Sequence, residues 1–192
     1  WVRSVLKFGA DDAFAVLNST TDELGITHDR YQVYHKTAMV EGYTFILHHK
    51  DGEILSLNGS AFAAFTADAS NSFTGDAALQ LALNFVGAEK YMWQDEASER
   101  FIKEEQSNPN ATFFPTAEKV FVQTGFDHNA PFRYAWKFDV YAEKPLGRFY
   151  VYVDAQTGEI LRKVDRIHDV DTPGTAVTYY SGTQNIVADS FN

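Results

Sequence analysis

The chain contains no cysteine. Disulfide scaffolds, thiol nucleophiles and cysteine-based zinc sites are therefore excluded, while the compartment is left open. Positive charge is scarce, with 16 Lys and Arg against 26 Asp and Glu and a net charge of −10. No Lys/Arg run occurs, which argues against a phosphate-binding surface and hence against nucleic acid as a partner. No apolar run approaches the ~20 residues of a membrane span, so no membrane partner is expected either. The first residue is Trp1 rather than Met. With no signal sequence in view, the chain is read as mature or trimmed. The acidity suits solubility and a neutral or basic protein partner.

What is abundant points to sheets. Hydrophobic residues are 45% of the 192, enough for a packed core. Aromatics include 16 Phe and 10 Tyr, side chains that pack well on pleated surfaces. The length allows one domain or two small ones.

Two hairpins organise the sequence. Arg148 to Val164 reads as one. Phe149, Val151 and Val153 alternate with Tyr150, Tyr152 and Asp154, and Gly158 can take the positive φ of the turn. Tyr43 to Leu57 echoes it, with Asp51-Gly52 as the turn and Glu53-Ile54-Leu55 repeating Glu159-Ile160-Leu161. Before the first hairpin, Asp11 or Asp12 predicts a helix cap, with Phe14, Val16 and Leu17 on the inner side. His28 to Val40 alternates as a strand, and Glu41-Gly42 is expected to turn it into the hairpin, making a three-stranded antiparallel meander.

Residues 60–73 read as a linker, small and polar with Phe62, Phe65 and Phe73 lying against the domains. Thr74 caps a helix over Asp76 to Val86, whose Ala78, Leu79, Ala82, Leu83 and Val86 recur at helical spacing, and Gly87 ends it. Asp95 to Gln106 reads as a short exposed helix with Glu96–Arg100 and Glu99–Lys103 pairs. Strands follow over Glu118 to Thr124 and Phe132 to Ala142. A helix across such a sheet is the α+β arrangement. Pro173-Gly174 breaks the chain, and Val177, Tyr179 and Ser181-Gly182 open a new hairpin without a core of its own, expected to be the start of a further domain.

Several clusters invite chemistry. His48 and His49, with His35 on a neighbouring strand, are the most tempting. Adjacent strand residues face opposite ways, so the pair cannot easily share a metal, though His35 could meet one of them. Asp165, Asp169 and Asp171 lack the further ligands and bend glycine of a calcium loop and read as a solvated connector. Glu96, Glu99, Glu104 and Glu105 lie among Arg100 and Lys103 and read as an ion-paired face rather than as paired catalytic acids. No Gly-x-Ser-x-Gly elbow and no Gly-rich phosphate loop is present. Asn18, Asn58 and Asn110 each open a glycosylation sequon. The strand aromatics read as core, with one sheet face available to a partner.

His28-Asp-Arg-Tyr-Gln-Val-Tyr34 followed by a hairpin at Asp51-Gly52-Glu53-Ile54 resembles the fungalysin/thermolysin propeptide motif. Thr74 to Arg166, with Tyr152-Val-Asp-Ala-Gln-Thr-Gly-Glu-Ile160, resembles a PepSY domain. Gly174 to Ile186 is similar to the first strands of a thermolysin-like catalytic domain. The resemblance implies the pro-region of a secreted, extracellular zinc metalloprotease, an intramolecular chaperone and inhibitor until it is cleaved. A stand-alone secreted PepSY-type inhibitor or binding protein is the alternative. The fold implied is α+β, as two small domains, each an antiparallel sheet with a helix packed on it, the second cystatin-like.

The expected division is 1–59 propeptide-like domain, 60–73 linker, 74–166 PepSY domain, 167–174 processing linker and 175–192 start of the catalytic domain. The processing and inhibitory segment is Ile167, His168, Asp169, Val170, Asp171, Thr172, Pro173 and Gly174. The partner implied is the cognate catalytic domain, in cis or as a cleaved non-covalent complex. The His-Glu-x-x-His zinc motif occurs nowhere in the sequence. This chain is therefore expected to be no enzyme, with no catalytic or metal residues and no cofactor, while the resemblance gives the parent's catalytic domain zinc and calcium.

Overall fold

The structure, a computed structural model, describes residues 1–59, 69–70, 72–125, 130–167 and 171–189. It is a mixed α+β fold, mostly sheet with few helices. Strands β1 (Asp12–Thr21), β2 (Thr27–His35), β3 (Ala38–Lys50), β4 (Glu53–Asn58), β5 (Lys90–Tyr91), β6 (Glu118–Gln123), β7 (Phe132–Lys144), β8 (Gly147–Asp154) and β9 (Ile160–Asp165) share one sheet. Their order is β1-β2-β3-β6-β7-β8-β9, with β4 beside β3 and β5 beside β7. A separate two-stranded sheet holds β10 (Asp171–Thr178) and β11 (Gly182–Asp189). The helices are α1 (Val2–Val5), α2 (Gly75–Val86) and α3 (Glu96–Glu105). The chain divides into two compact units. One is Trp1–Val86, Thr116–Phe138 and Val151–Arg162; the other is Gly87–Pro115, Asp139–Tyr150 and Lys163–Asn192.

In the first unit, the helix expected from Asp11 or Asp12 is instead strand β1. Phe14 meets Tyr31 and Phe45, each at 5.4 Å between ring centroids, and Phe8 at 5.6 Å. Alternation of Phe14 and Val16 places them beside β2, whereas a helical turn would carry Phe14 off this cluster. The Asn18-Ser-Thr-Thr21 run is also poor in helix formers. Asp12 caps no helix. Its carboxylate accepts the Gly9 N–H at 2.6 Å and lies 2.7 Å from His35 Nδ1.

The reversal expected at Glu41-Gly42 occurs earlier, at Lys36 and Thr37, both with positive φ. Gly42, at φ 78°, lies in a bulge of β3. Gln32 opposes Thr44 while Tyr34 opposes Met39, so Val33 alone faces residues 40–43. The buried Gln32 amide donates to the carbonyls of Val33, Val40 and Tyr43 at 2.8–3.0 Å, satisfying oxygens that the interrupted ladder leaves over. The meander thus has four strands, with β1 as the addition.

The bulge re-aims β3. Its later half, Ile46 to Lys50, pairs β4 antiparallel, while Met39 and Val40 pair Val120 and Phe121 of β6 in parallel. The Asp51-Gly52 turn forms as expected, both residues at positive φ. Val40, Val120 and Phe121 are fully buried. Bridging this seam, Lys137 on β7 donates to both carboxylate oxygens of Glu41 at 3.0 and 3.1 Å, and its ammonium lies 5.7 Å from the Tyr152 ring centroid. Lys137 is only 8% exposed, so the pair is largely desolvated.

Helix α2 begins as the sequence predicts. The Thr74 hydroxyl accepts the Ala77 N–H, and Ala78, Leu79 and Ala82 are buried. In the second unit, Asp95 caps α3 through the Ser98 N–H, and its pKa is held at about 2, first by that hydrogen bond and then by Lys90. Of the two pairs expected on α3, Lys103 lies 4.0 Å from Glu99.

Removing one partner of a buried ion pair leaves the other uncompensated. Glu41→Ala is expected to lower stability by about 3 kcal/mol, and Glu41→Leu with Lys137→Met to recover most of it. Urea unfolding of the three chains checks this; equal midpoints for Glu41→Ala and the parent would refute it.

Candidate functional site

The β8–β9 turn of the first unit is held by several hydrogen bonds and an ion pair. Asp154 is 1% exposed. Its Oδ1 accepts the Gln156 and Thr157 N–H groups at 2.9 and 2.8 Å, and its Oδ2 lies 2.6 Å from Arg133 Nη2. A side chain that replaces backbone acceptors in this way is why Asp begins the turn. The next residue has both main-chain groups engaged. Ala155 N–H donates to Tyr134 O, and Ala155 O accepts from Ser72 and Phe73 N–H. The Trp136 indole donates to Phe73 O at 2.9 Å. Gly158 closes the turn at φ 74°, and a Cβ there would lie 2.8 Å from the Phe73 ring and 3.0 Å from Leu81. Asp154 to Gly158 therefore ties β7, residues 72–73 and α2 to one point.

Downstream lies the segment singled out for processing. Ile167 is half-buried. His168, Asp169 and Val170 lie outside the described residues. The backbone of Asp171, Thr172, Pro173 and Gly174 runs in β10, paired with Asp189, Ala188, Val187 and Ile186. This hairpin turns at Tyr179 to Gly182, with Gly182 at φ 63° and both tyrosines above 90% exposed.

The histidines do not gather as the sequence suggests. His48 meets His28, not His35, across β2 and β3, Nδ1 to Nδ1 at 2.5 Å. His28 Nε2 also lies 3.3 Å from Asp22. His49 Nε2 contacts Asp29 at 3.0 Å, and His35 is held by Asp12 and packs on Phe121. The Asp29 carboxyl is held below its usual range, first by a Ser19 hydrogen bond and then, against burial, by His49. His48 and His49 thus face different partners on opposite sides of the strand. Among the described residues no three His, Asp or Glu side chains form a group that could hold a metal ion.

Of the remaining candidates, Asp165 and Glu99 have structural partners. Asp165 is exposed beside Lys163 at 3.7 Å, Asp169 lies outside the described residues, and Asp171 is described by its backbone alone. Glu99 Oε1 accepts the Thr112 hydroxyl and the Phe113 N–H at 3.0 and 2.7 Å, fastening the loop after α3. Glu96, Glu99 and Glu104 line an open groove with Arg100 and Lys103. Asn18, Asn58 and Asn110 are all exposed. Tyr31 and Phe45 stack at 4.8 Å, and Phe121 lies 5.1 Å from Tyr134, which makes these strand aromatics core rather than free surface.

The first unit carries a recognisable module. Residues 12–61 match the Fungalysin/Thermolysin Propeptide Motif. The match begins with β1 and runs past the end of β4, so it covers the four-stranded meander. Over 186 residues the chain is 24% identical to bacillolysin of Bacillus amyloliquefaciens, covering 95% of this chain and 33% of that protein. Over 166 residues it is 29% identical to the thermostable neutral protease NprT of Geobacillus stearothermophilus, covering 86% of this chain and 28% of that one. The chain spans a third or less of the length of these curated relatives. Together these likenesses bear out the resemblance to a thermolysin-like protease pro-region.

Gly158 and Gly182 both need positive φ, but only Gly158 is crowded. Gly158→Val is expected to cost about 1–3 kcal/mol of backbone strain and a similar amount of overpacking, and Gly182→Val the strain alone. Thermal unfolding followed by circular dichroism compares them; equal losses would contradict the crowding.

Proposed function

We propose that this chain is the pro-region of a secreted thermolysin-like zinc metalloprotease, serving as intramolecular chaperone and inhibitor until it is cleaved. The observation that carries the reading is the propeptide motif over 12–61, set within a likeness to bacillolysin across 95% of the chain. On this reading 1–59 is the propeptide-like domain, 60–73 a linker and 74–166 a PepSY domain of cystatin-like fold. Residues 175–192 begin the catalytic domain, where zinc and calcium would reside. The partner is that catalytic domain, tethered or retained after cleavage, and the setting is extracellular. Among the described residues no helix is long and apolar enough to cross a membrane.

Each role has a physical basis. A folded sheet offers a preformed surface to a protease intermediate that would otherwise expose unpaired strands. Tethering gives the inhibitor a high effective concentration, and cutting the tether removes it. Ile167 to Gly174 is the segment proposed for the cut. Upstream, β9 belongs to the main sheet; downstream, β10 belongs to an isolated two-stranded hairpin, an arrangement of marginal stability that opens readily.

The 192-residue chain is expected to inhibit the matched mature protease when added in trans. Peptide hydrolysis unchanged by a large molar excess would remove the inhibitor role. Activation of the full-length precursor should give a new N-terminus between Ile167 and Thr175, read by N-terminal sequencing. A start within Phe149 to Val164, or beyond Gln184, would reject the proposed boundary.

A further inference from the structure

The ladder of the second unit continues one residue beyond β9. Arg166 N–H donates to Arg148 O at 2.7 Å. Its guanidinium lies over the Tyr150 ring, 4.4 Å from the centroid, and hydrogen-bonds through Nη1 to Asp139 Oδ2. The same carboxylate receives Arg148 from Nε at 3.0 Å and Nη2 at 2.8 Å, and Arg148 in turn lies over Tyr141 at 4.9 Å. One carboxylate therefore holds two guanidiniums, each resting on an aromatic face, an arrangement of charge-assisted and cation–π contacts. Burial pushes the Asp139 carboxyl up, but the hydrogen bonds from Arg148 and Arg166 outweigh it and leave the group below its ordinary range.

Two features give this cluster a consequence. Residues 167–192 contain neither Lys nor Arg, so Arg166 is the last of these two residue types among the 192. The residue as a whole is exposed and its side chain keeps 30% exposure, while its guanidinium is engaged. We propose that Arg166–Ile167 is a latent cleavage site for an arginine-directed protease, gated by the Asp139–Tyr150 clamp. Such a protease must take into its own pocket the guanidinium that Asp139 and Tyr150 hold. Cleavage then follows the population of the opened clamp. The step is hydrolysis: the Arg166–Ile167 amide C–N bond breaks, water's oxygen joins the Arg166 carbonyl carbon and a proton goes to the new Ile167 amine. The proposal deepens the reading of 167–174 as the processing segment and rests on it, since it places a second, protease-dependent entry at that segment's upstream edge.

Limited digestion of the 192-residue chain with trypsin tests it, with fragment 167–192 followed by mass spectrometry. The parent should release this fragment slowly and Asp139→Asn about ten-fold faster, as expected where the population of the open clamp sets the rate. Arg166→Gln should abolish it. Cuts after Arg133 and Lys137, inside β7, report general unfolding and should not change. If Asp139→Asn accelerates them too, Tyr150→Leu decides, because it removes the surface under Arg166 and leaves the Arg148–Asp139 pair. Should both variants unfold, phenylglyoxal on the parent should label Arg166 several-fold more slowly than exposed Arg30. Release of 167–192 at the parent's rate in a folded variant, or equal labelling of Arg166 and Arg30, overturns the clamp. The trans-inhibition assay is separate, so an open clamp with intact inhibition sinks this proposal alone.

Discussion

The first unit depends on a two-residue parallel seam. Met39 and Val40 of β3 meet Val120 and Phe121 of β6, and nothing local in the chain enforces that meeting. A contact of two residue pairs between distant segments has few hydrogen bonds to fix its register, so register rests on side chains, because a slip would exchange the buried ones for outward-facing ones. Here the Glu41–Lys137 pair sits beside it, with the Lys137 ammonium against Tyr152. Desolvating two charges yields little net stability, but an unpaired one is costly, so the pair penalises every alternative register. The Gln32 amide does related work by closing the bulge that lets β3 serve β4 with one half and β6 with the other.

A second fixed point is the β8–β9 turn. Each residue type in Asp154-Ala-Gln-Thr-Gly158 has a physical reason. Asp154 supplies oxygens to two turn N–H groups and Arg133. Ala155 is small enough to sit fully buried while both its main-chain groups bind neighbours. Gly158 accepts a left-handed backbone where Phe73 and Leu81 leave no room for a Cβ. A turn built in this way needs no catalytic role to explain its make-up.

The chain changes character at Arg166. Before it, strands belong to a sheet with a buried core; after it, the described backbone forms a hairpin whose exposed turn carries Tyr179 and Tyr180. A proposed inhibitor that must be severed benefits from this contrast, because rigidity upstream keeps the binding surface intact while a weakly held strand offers itself to a protease.

Much of this was legible in the residues. The alternation in Phe149 to Asp154, the Asp51-Gly52 and Gly158 turns and the Thr74 cap depend on neighbours in sequence, and each forms where local rules place it. The likeness to a thermolysin-like pro-region was legible too, because those hairpins carry its motifs. Tertiary structure alone decided the rest. Asp12 looks like a helix cap until β2 offers Phe14 a ring cluster and His35 offers Asp12 a partner. Gly42 looks like a turn until Lys36 and Thr37 adopt positive φ and leave it to a bulge. His48 chose His28, and Asp139 gathered Arg148 and Arg166, through strand register that no short window contains. The physical reason is common to all: local pattern sets which way a side chain points, but only the pairing of distant strands sets what it meets.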